Sequence, residues 1–233
     1  AGPKFGANAE YLTSPEEGVL TIKPSSLDHV EAAASVDGFL TALPFLRDTG
    51  KIEKGQKVLI YGASGSIGSS AVQVANYYGT EVTAVCSSSN VEWVKALGAK
   101  HVIDYTKQDF RKTGETYDII FDAVGKNSFP QSKKSLTPKG IFLEAGFSIG
   151  FLMQALLTSF GAGKKARTAA TGLRKPEERI LDLKLLKTLL ESGQIKPVVD
   201  RSYPLEQIVE AHQYVDLGHK KGNVAITINV EST

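Results

Sequence analysis

From Lys57 onward, short apolar runs alternate with helical patterns. The run KVLIYG predicts a strand, and Ile67, Ala71, Val74, Ala75 and Tyr78 then recur at helical spacing, with Gly79 as a stop signal. EVTAVC predicts the next strand, and NVEWVKALGA a short helix starting at Asn90 or just before it. HVIDY, YDIIFDAVG and GIFLEAGF predict three more strands. These runs are nearly continuous in apolar character, as in strands of a parallel sheet covered on both faces. PEERILDLKLLKTLLESG predicts a long amphipathic helix, with Pro176 early and Gly193 at its end. Ahead of the first strand, SSLDHVEAAASVDGFLTALPFL carries a helix signal that Ser25, Ser26 or Asp28 can cap. Near the end, PLEQIVEAHQYVDLG predicts a helix from about Pro204. NVAITINV alternates Val224, Ile226, Ile228 and Val230, as a one-faced strand does. The expected fold is therefore an α/β doubly wound core over residues 27–193, flanked by a head and a tail.

Composition narrows the function classes. Of 233 residues, 42% are hydrophobic and 22% charged, as in ordinary globular proteins. A net charge of +2 without a basic tract argues against nucleic acid as a partner. No apolar run approaches the roughly 20 residues of a membrane span. The lone cysteine, Cys86, cannot form an internal disulfide, and AGPKFGANAEYLTS carries no apolar signal core, so the expected setting is reducing and cytoplasmic.

The chemistry concentrates where the first strand runs into Gly62, Gly65 and Gly68. In a strand–turn–helix unit the first glycine permits the tight turn, the middle one lets a pyrophosphate approach the backbone, and the last lets helix pack on strand. The phosphates then meet N–H groups at the helix N-terminus. Sites for NAD usually place an acidic residue at the end of the second strand to hold the ribose 2′-OH. This chain has Cys86-Ser87-Ser88-Ser89-Asn90 there, hydroxyls with no carboxylate, which points to NADP(H). No tyrosine has a lysine four positions later, which sets aside the short-chain dehydrogenases. FGAGKKA at 160–166 lacks the full phosphate-loop spacing and reads as a mobile basic loop.

Together GASGSIG, ALGAKHVIDYT, YDIIFDAVG and GHKKGNVAITI resemble the zinc-independent quinone oxidoreductases, the zeta-crystallin-like branch of the medium-chain dehydrogenase/reductase superfamily. FGANAEYLTSPEEGVLTIKP and EAAASVDGFLTALPFL extend the resemblance over nearly the whole chain. It implies a Rossmann-type sheet over 27–193, with partial GroES-like segments at both ends. Residues 1–26 would be the end of that domain and 194–233 the segment returning to it, as in an N-terminally truncated chain. It also implies that Ser64, Gly65, Ser66 and Ile67 line the pyrophosphate, while Ser87, Ser88 and Asn90 meet the 2′-phosphate with Tyr105 packed beside it. Val124 and Gly125 would touch the ribose. Thr41, Gly146 and Phe147 would approach the nicotinamide, and Lys221 and Asn223 would close over the cofactor.

No metal site is expected: Cys86 stands alone, and His29, His101, His212 and His219 are scattered. Zinc-using relatives carry a ligand just before the glycine of a GFxTA-like run, and Asp37 stands at that place. The implied reaction is hydride transfer from NADPH to a quinone or an activated alkene, a small-molecule substrate, by a homodimer. The catalytic residues are not identifiable. Two other readings stay open: a cofactor-binding module without turnover, structural or redox-sensing, and a fragment of a zinc-type alcohol dehydrogenase. The apolar stretch GFSIGFLMQALLTSFGAG is expected to be a core helix, with a substrate lid or dimer face as the other reading.

Overall fold

The computed structural model describes residues 8–16, 18–146 and 149–228. They form two compact units: Gly38–Leu173, and the described residues of Ala1–Asp37 with Arg174–Thr233.

The first unit is built on a six-stranded sheet of order β3-β2-β1-β4-β5-β6. Its strands are β1 (Lys57–Tyr61), β2 (Glu81–Cys86), β3 (His101–Asp104), β4 (Tyr117–Asp122), β5 (Leu136–Glu144) and β6 (Lys165–Arg167). Every pairing is parallel. The order reverses between β1 and β4, so a crevice opens at the strands' carboxyl ends, where doubly wound sheets bind ligands. One face buries Leu59, Val85, Ile120, Phe142 and Ala166, with Phe110, Phe129 and Phe151 packed against them. The alternate residues Val58, Ile60, Val82, Ala84, Ile119 and Phe121 are equally buried on the other face, so the central strands β1, β2 and β4 are apolar on both faces.

Helix α1 (His29–Pro44) starts with a reciprocal cap. Asp28 Oδ1 accepts the Glu31 N–H at 2.7 Å and Glu31 Oε2 accepts the Asp28 N–H at 3.1 Å, so Asp28 is the cap and not Ser25 or Ser26. A turn of π-helix follows at Phe45–Thr49, and Phe45 stacks on Phe121 at 5.1 Å. Helices α2 (Ser66–Tyr77) and α3 (Val91–Ala96) link β1, β2 and β3; α4 (Phe129–Ser132) and α5 (Ile149–Ser159) link β4, β5 and β6.

Two expectations need correction here. Helix α5 is not a core helix: only Phe151 is buried, while Ile149, Leu157 and Phe160 just beyond it are more than 70% exposed. Phe151 packs on Phe142 at 5.9 Å and Thr158 Oγ1 accepts the Ala166 N–H at 3.0 Å, so α5 lies over the last strands, and among the described residues its outer side stays exposed. In the stretch read as a mobile basic loop, residues 160–164 lie outside regular structure, but Lys165 and Ala166 begin β6, whose three residues pair with Ile141, Phe142 and Leu143. Shortness and positive charge suit an edge strand.

In the second unit, α6 (Pro176–Glu191) and α7 (Ile208–Asp216) accompany a parallel pair, β7 (Val199–Pro204) and β8 (Asn223–Thr227). The side of β8 expected to be buried is only half-buried at Val224, Ile226 and Ile228, and Ala225 on the opposite side is the buried residue. A two-stranded sheet has too little surface to bury one face fully. Val230 lies outside the described residues.

Register places Tyr61, Asp122 and Glu144 in one row along the carboxyl rim, on one face. Asp122 is fully buried and satisfied: it accepts from the N–H groups of Val124 (3.0 Å), Gly125 (2.9 Å) and Asn127 (2.6 Å). Glu144 is 8% exposed, and its carboxyl accepts no hydrogen bond among the described residues. Burial, and then the Asp122 carboxylate, push its pKa above the ordinary value. A carboxyl with a raised folded-state pKa opposes folding once ionised, and this penalty disappears at low pH. Glu144→Gln should therefore raise Tm at pH 8 by roughly 2–4 °C, an effect on the order of 1 kcal/mol. The gain should vanish towards pH 4; a Tm difference independent of pH would contradict the assignment.

Candidate active site

The site is built on the turn from β1 to α2. Gly62 has φ 77°, and a Cβ there would lie 2.6 Å from Val124 Cγ1. Gly68 is demanded by contact: its Cβ would lie 2.0 Å from the Gly62 carbonyl oxygen and 2.8 Å from Ala63 Cα. Gly65 is different. Its φ is −82°, and a Cβ there would meet only Gly62 O, at 3.7 Å. Nothing among the described residues therefore requires glycine at 65. Helix α2 starts at Ser66 with no side-chain cap, so the first-turn N–H groups of Ile67 and Gly68 have no intrahelical acceptor. Free donors beside a position lacking a Cβ form a cradle for an anion, and Ser64, Gly65, Ser66 and Ile67 all lie on it, half-buried.

Helix α1 closes one side. A Cβ at Gly38 would lie 2.5 Å from both Ser66 O and Ser70 Oγ, so α1 crosses the start of α2 in backbone contact, with half-buried Thr41 one turn further on. Val124 and Gly125 close the other side, held by Asp122. Gly146 ends the rim after β5, where a Cβ would lie 3.2 Å from Glu144 Oε1. Phe147 lies outside the described residues.

The loop after β2 holds the hydroxyls. Asn90 is 6% exposed; its Nδ2 donates to Ser87 Oγ at 3.1 Å and its buried Oδ1 has no hydrogen-bond partner among the described residues. Ser87 and Ser89 hydroxyls are 3.3 Å apart. Here the expected absence of a carboxylate is corrected, because β3 brings Asp104 alongside Cys86. Asp104 accepts hydrogen bonds from the Ser88 hydroxyl, the Thr106 hydroxyl (2.7 Å) and the Thr106 N–H (3.0 Å), with Lys107 Nζ at 3.3 Å. The Ser88 bond is the largest of the effects that hold the Asp104 carboxyl far below the usual range. Ser88 thus directs its one proton at Asp104, while Ser87 and Ser89 share a hydrogen bond that leaves one hydroxyl proton of that pair available. Tyr105, about half exposed, has its ring 6.5 Å from that of Tyr61.

Lys221 and Asn223 belong to the second unit. The Lys221 N–H donates to Asp200 Oδ2 at 3.0 Å, and Asn223 Nδ2 to Val198 O at 3.2 Å. The Tyr214 hydroxyl donates to the same Asp200 oxygen at 2.6 Å, fixing that loop.

Asp104 and Gly38 escape a reading of the chain alone. Asp104 acts through strand adjacency, which no local spacing reveals. Gly38 sits mid-helix, where an isolated glycine costs about 1 kcal/mol against alanine, and that cost is the one local signal of a close contact.

Among the described residues no three His, Cys, Asp or Glu side chains converge to hold a metal. Cys86 is buried, and burial followed by Asp104 pushes its thiol up to about 11, the opposite of what a thiolate ligand needs. Among the same residues no helix is long and apolar enough to cross a membrane.

Residues 97–226 match the zinc-binding dehydrogenase family. The chain is 33% identical over 230 residues to the 2-methylene-furan-3-one reductase of Solanum lycopersicum, an alignment covering 97% of this chain and 54% of that protein. It is 31% identical over 235 residues to the chloroplastic NADPH-dependent alkenal/one oxidoreductase of Arabidopsis thaliana, with the same coverage. The quinone oxidoreductase of Coxiella burnetii superimposes with a TM-score of 0.78 at 26% identity, over 89% of this chain and 63% of that one. The chain thus spans little more than half the length of the two curated relatives. A parallel sheet of order 3-2-1-4-5-6, a glycine turn fitted to an anion and these matches lead to one conclusion: the chain belongs to the zinc-binding dehydrogenase family of the medium-chain dehydrogenase/reductase superfamily.

Proposed function

We propose that this chain is the dinucleotide-binding part of an NADP(H)-dependent oxidoreductase that reduces an activated alkene or a quinone. The observation that carries this reading is Gly65, whose missing side chain the fold does not require and a pyrophosphate against the turn does. Ser64, Ser66 and Ile67 hold the pyrophosphate, Val124 and Gly125 border the ribose, and Thr41 and Gly146 flank the nicotinamide end. The reduced nicotinamide supplies the hydride. The residues named here bind and orient; none is assigned proton transfer. The names of the tomato, Arabidopsis and Coxiella relatives support the substrate class of activated alkenes and quinones.

The same reading treats the described parts of 1–26 and 194–233 as belonging to a GroES-like catalytic domain. It includes a homodimer, supported by the exposed apolar residues of α5, and a reducing compartment such as the cytoplasm, supported by the single cysteine.

Titration with NADPH, followed by fluorescence of the one tryptophan, Trp93, or by calorimetry, should show saturable binding. Gly65→Ala should weaken it at least about tenfold while Tm falls by only roughly 2–4 °C, because alanine is the poorer N-cap by about 1 kcal/mol and the fold leaves room for its methyl group. Equal NADPH affinity in this variant would remove the ground for the proposal.

Asp104 bears on cofactor choice. A carboxylate beside Ser88 repels a 2′-phosphate and can accept from a 2′-OH. Asp104→Asn should therefore shift the ratio of NADPH to NADH affinity towards NADPH by roughly three- to tenfold, more at low salt than at high. An unchanged ratio would place the 2′ position away from this loop.

A further inference from the structure

On the sheet face that carries Phe121 and Leu143, a cleft of about 550 Å3 lies between the segment after α1, strand β5 and edge strand β6. Lys51, Lys139, Lys165 and Arg167 line it. Its one carboxylate, Asp48, is held by the Arg47 guanidinium at 2.7 and 2.8 Å. Among the described residues none of the four cations takes part in a hydrogen bond or an ion pair. Lys165 and Arg167 are nevertheless half-buried and on the same side of β6.

Elsewhere in this unit cations are often matched. Lys57 meets Glu115 at 3.1 Å, Lys100 meets Glu81 at 2.7 Å and Arg111 meets Asp109 at 2.8 Å. Four unmatched cations around one cleft repel each other, and two of them have lost part of their hydration. Lys51 adds a further cost: its φ of 52° puts a non-glycine residue in the left-handed region, on the order of 1 kcal/mol. An anion in the cleft offsets the repulsion and the lost hydration. The volume suits a small molecule, and a planar guanidinium beside three ammonium groups suits adjacent phosphoryl groups. No lining residue comes from the glycine turn, β1, β2 or the serine loop, so this cleft is separate from the dinucleotide cradle.

We propose that this cleft is a second anion site, which binds a diphosphate group, free or carried by a small organic molecule. Calorimetry with inorganic pyrophosphate, at an ionic strength fixed with chloride, should show saturable one-to-one binding. Lys165→Gln/Arg167→Gln should weaken it at least about tenfold. Lys51→Gln/Lys139→Gln, at exposed positions, reads the same loss should the first pair fail to fold. NADPH affinity should be unchanged in both variants. An ADP affinity above that for pyrophosphate, and lost in the same variants, assigns the site to an organic carrier; equal affinities assign it to the free ion. Absence of saturable binding, equal pyrophosphate affinity in the variants, or a fall in NADPH affinity would each overturn the proposal.

Discussion

The site depends on one close approach. The start of α2 lies so near the end of β1 that Gly68 leaves no room for a methyl group against the Gly62 carbonyl. That contact fixes the angle at which the helix leaves the sheet, and with it the direction of the first-turn N–H groups. Gly38 repeats the device from the other side, bringing α1 onto the backbone of Ser66. The cradle is thus held by contact between three backbones.

Around this fixed turn the rim is organised by carboxylates. Asp122 holds the loop of Val124 and Gly125 through backbone N–H groups, and Val124 in turn sits over Gly62. Asp104 does the same for the loop after β3 and reaches across to Ser88. Both are the last residues of their strands, where the sheet's ladder ends and unpaired N–H groups need acceptors. Placing an acid there satisfies the backbone, and it also fills the crevice with negative charge that a phosphate-bearing ligand must avoid. Asp122 is fully buried beneath its loop, which limits the conflict at β4, whereas Asp104 reaches the serine loop itself.

Much of this was legible in the chain. The near-continuous apolar strands gave away a parallel sheet, and Gly62 and Gly68 proved to be where geometry allows nothing else. Elements that depend on neighbours were not legible. Helix α5 has the apolar spacing of a core helix, and only its position over the last strands leaves Leu157 and Ile149 uncovered. Strand β6 is three residues long with two charges, so it has no periodicity to read and exists because β5 offers it an edge. Asp104 lies eighteen residues beyond Cys86 in the chain and directly beside it in the sheet. Patterning reports which face of an element is apolar; it does not report which element comes to lie next to it.

The position of Cys86 has a consequence for life among electrophiles. Quinones and conjugated enones are Michael acceptors, and they alkylate thiolates. This chain has a single sulfhydryl, at the end of a central strand, where desolvation and a neighbouring carboxylate keep it protonated and out of reach. Within this chain, burial and protonation therefore disfavour adduct formation at Cys86.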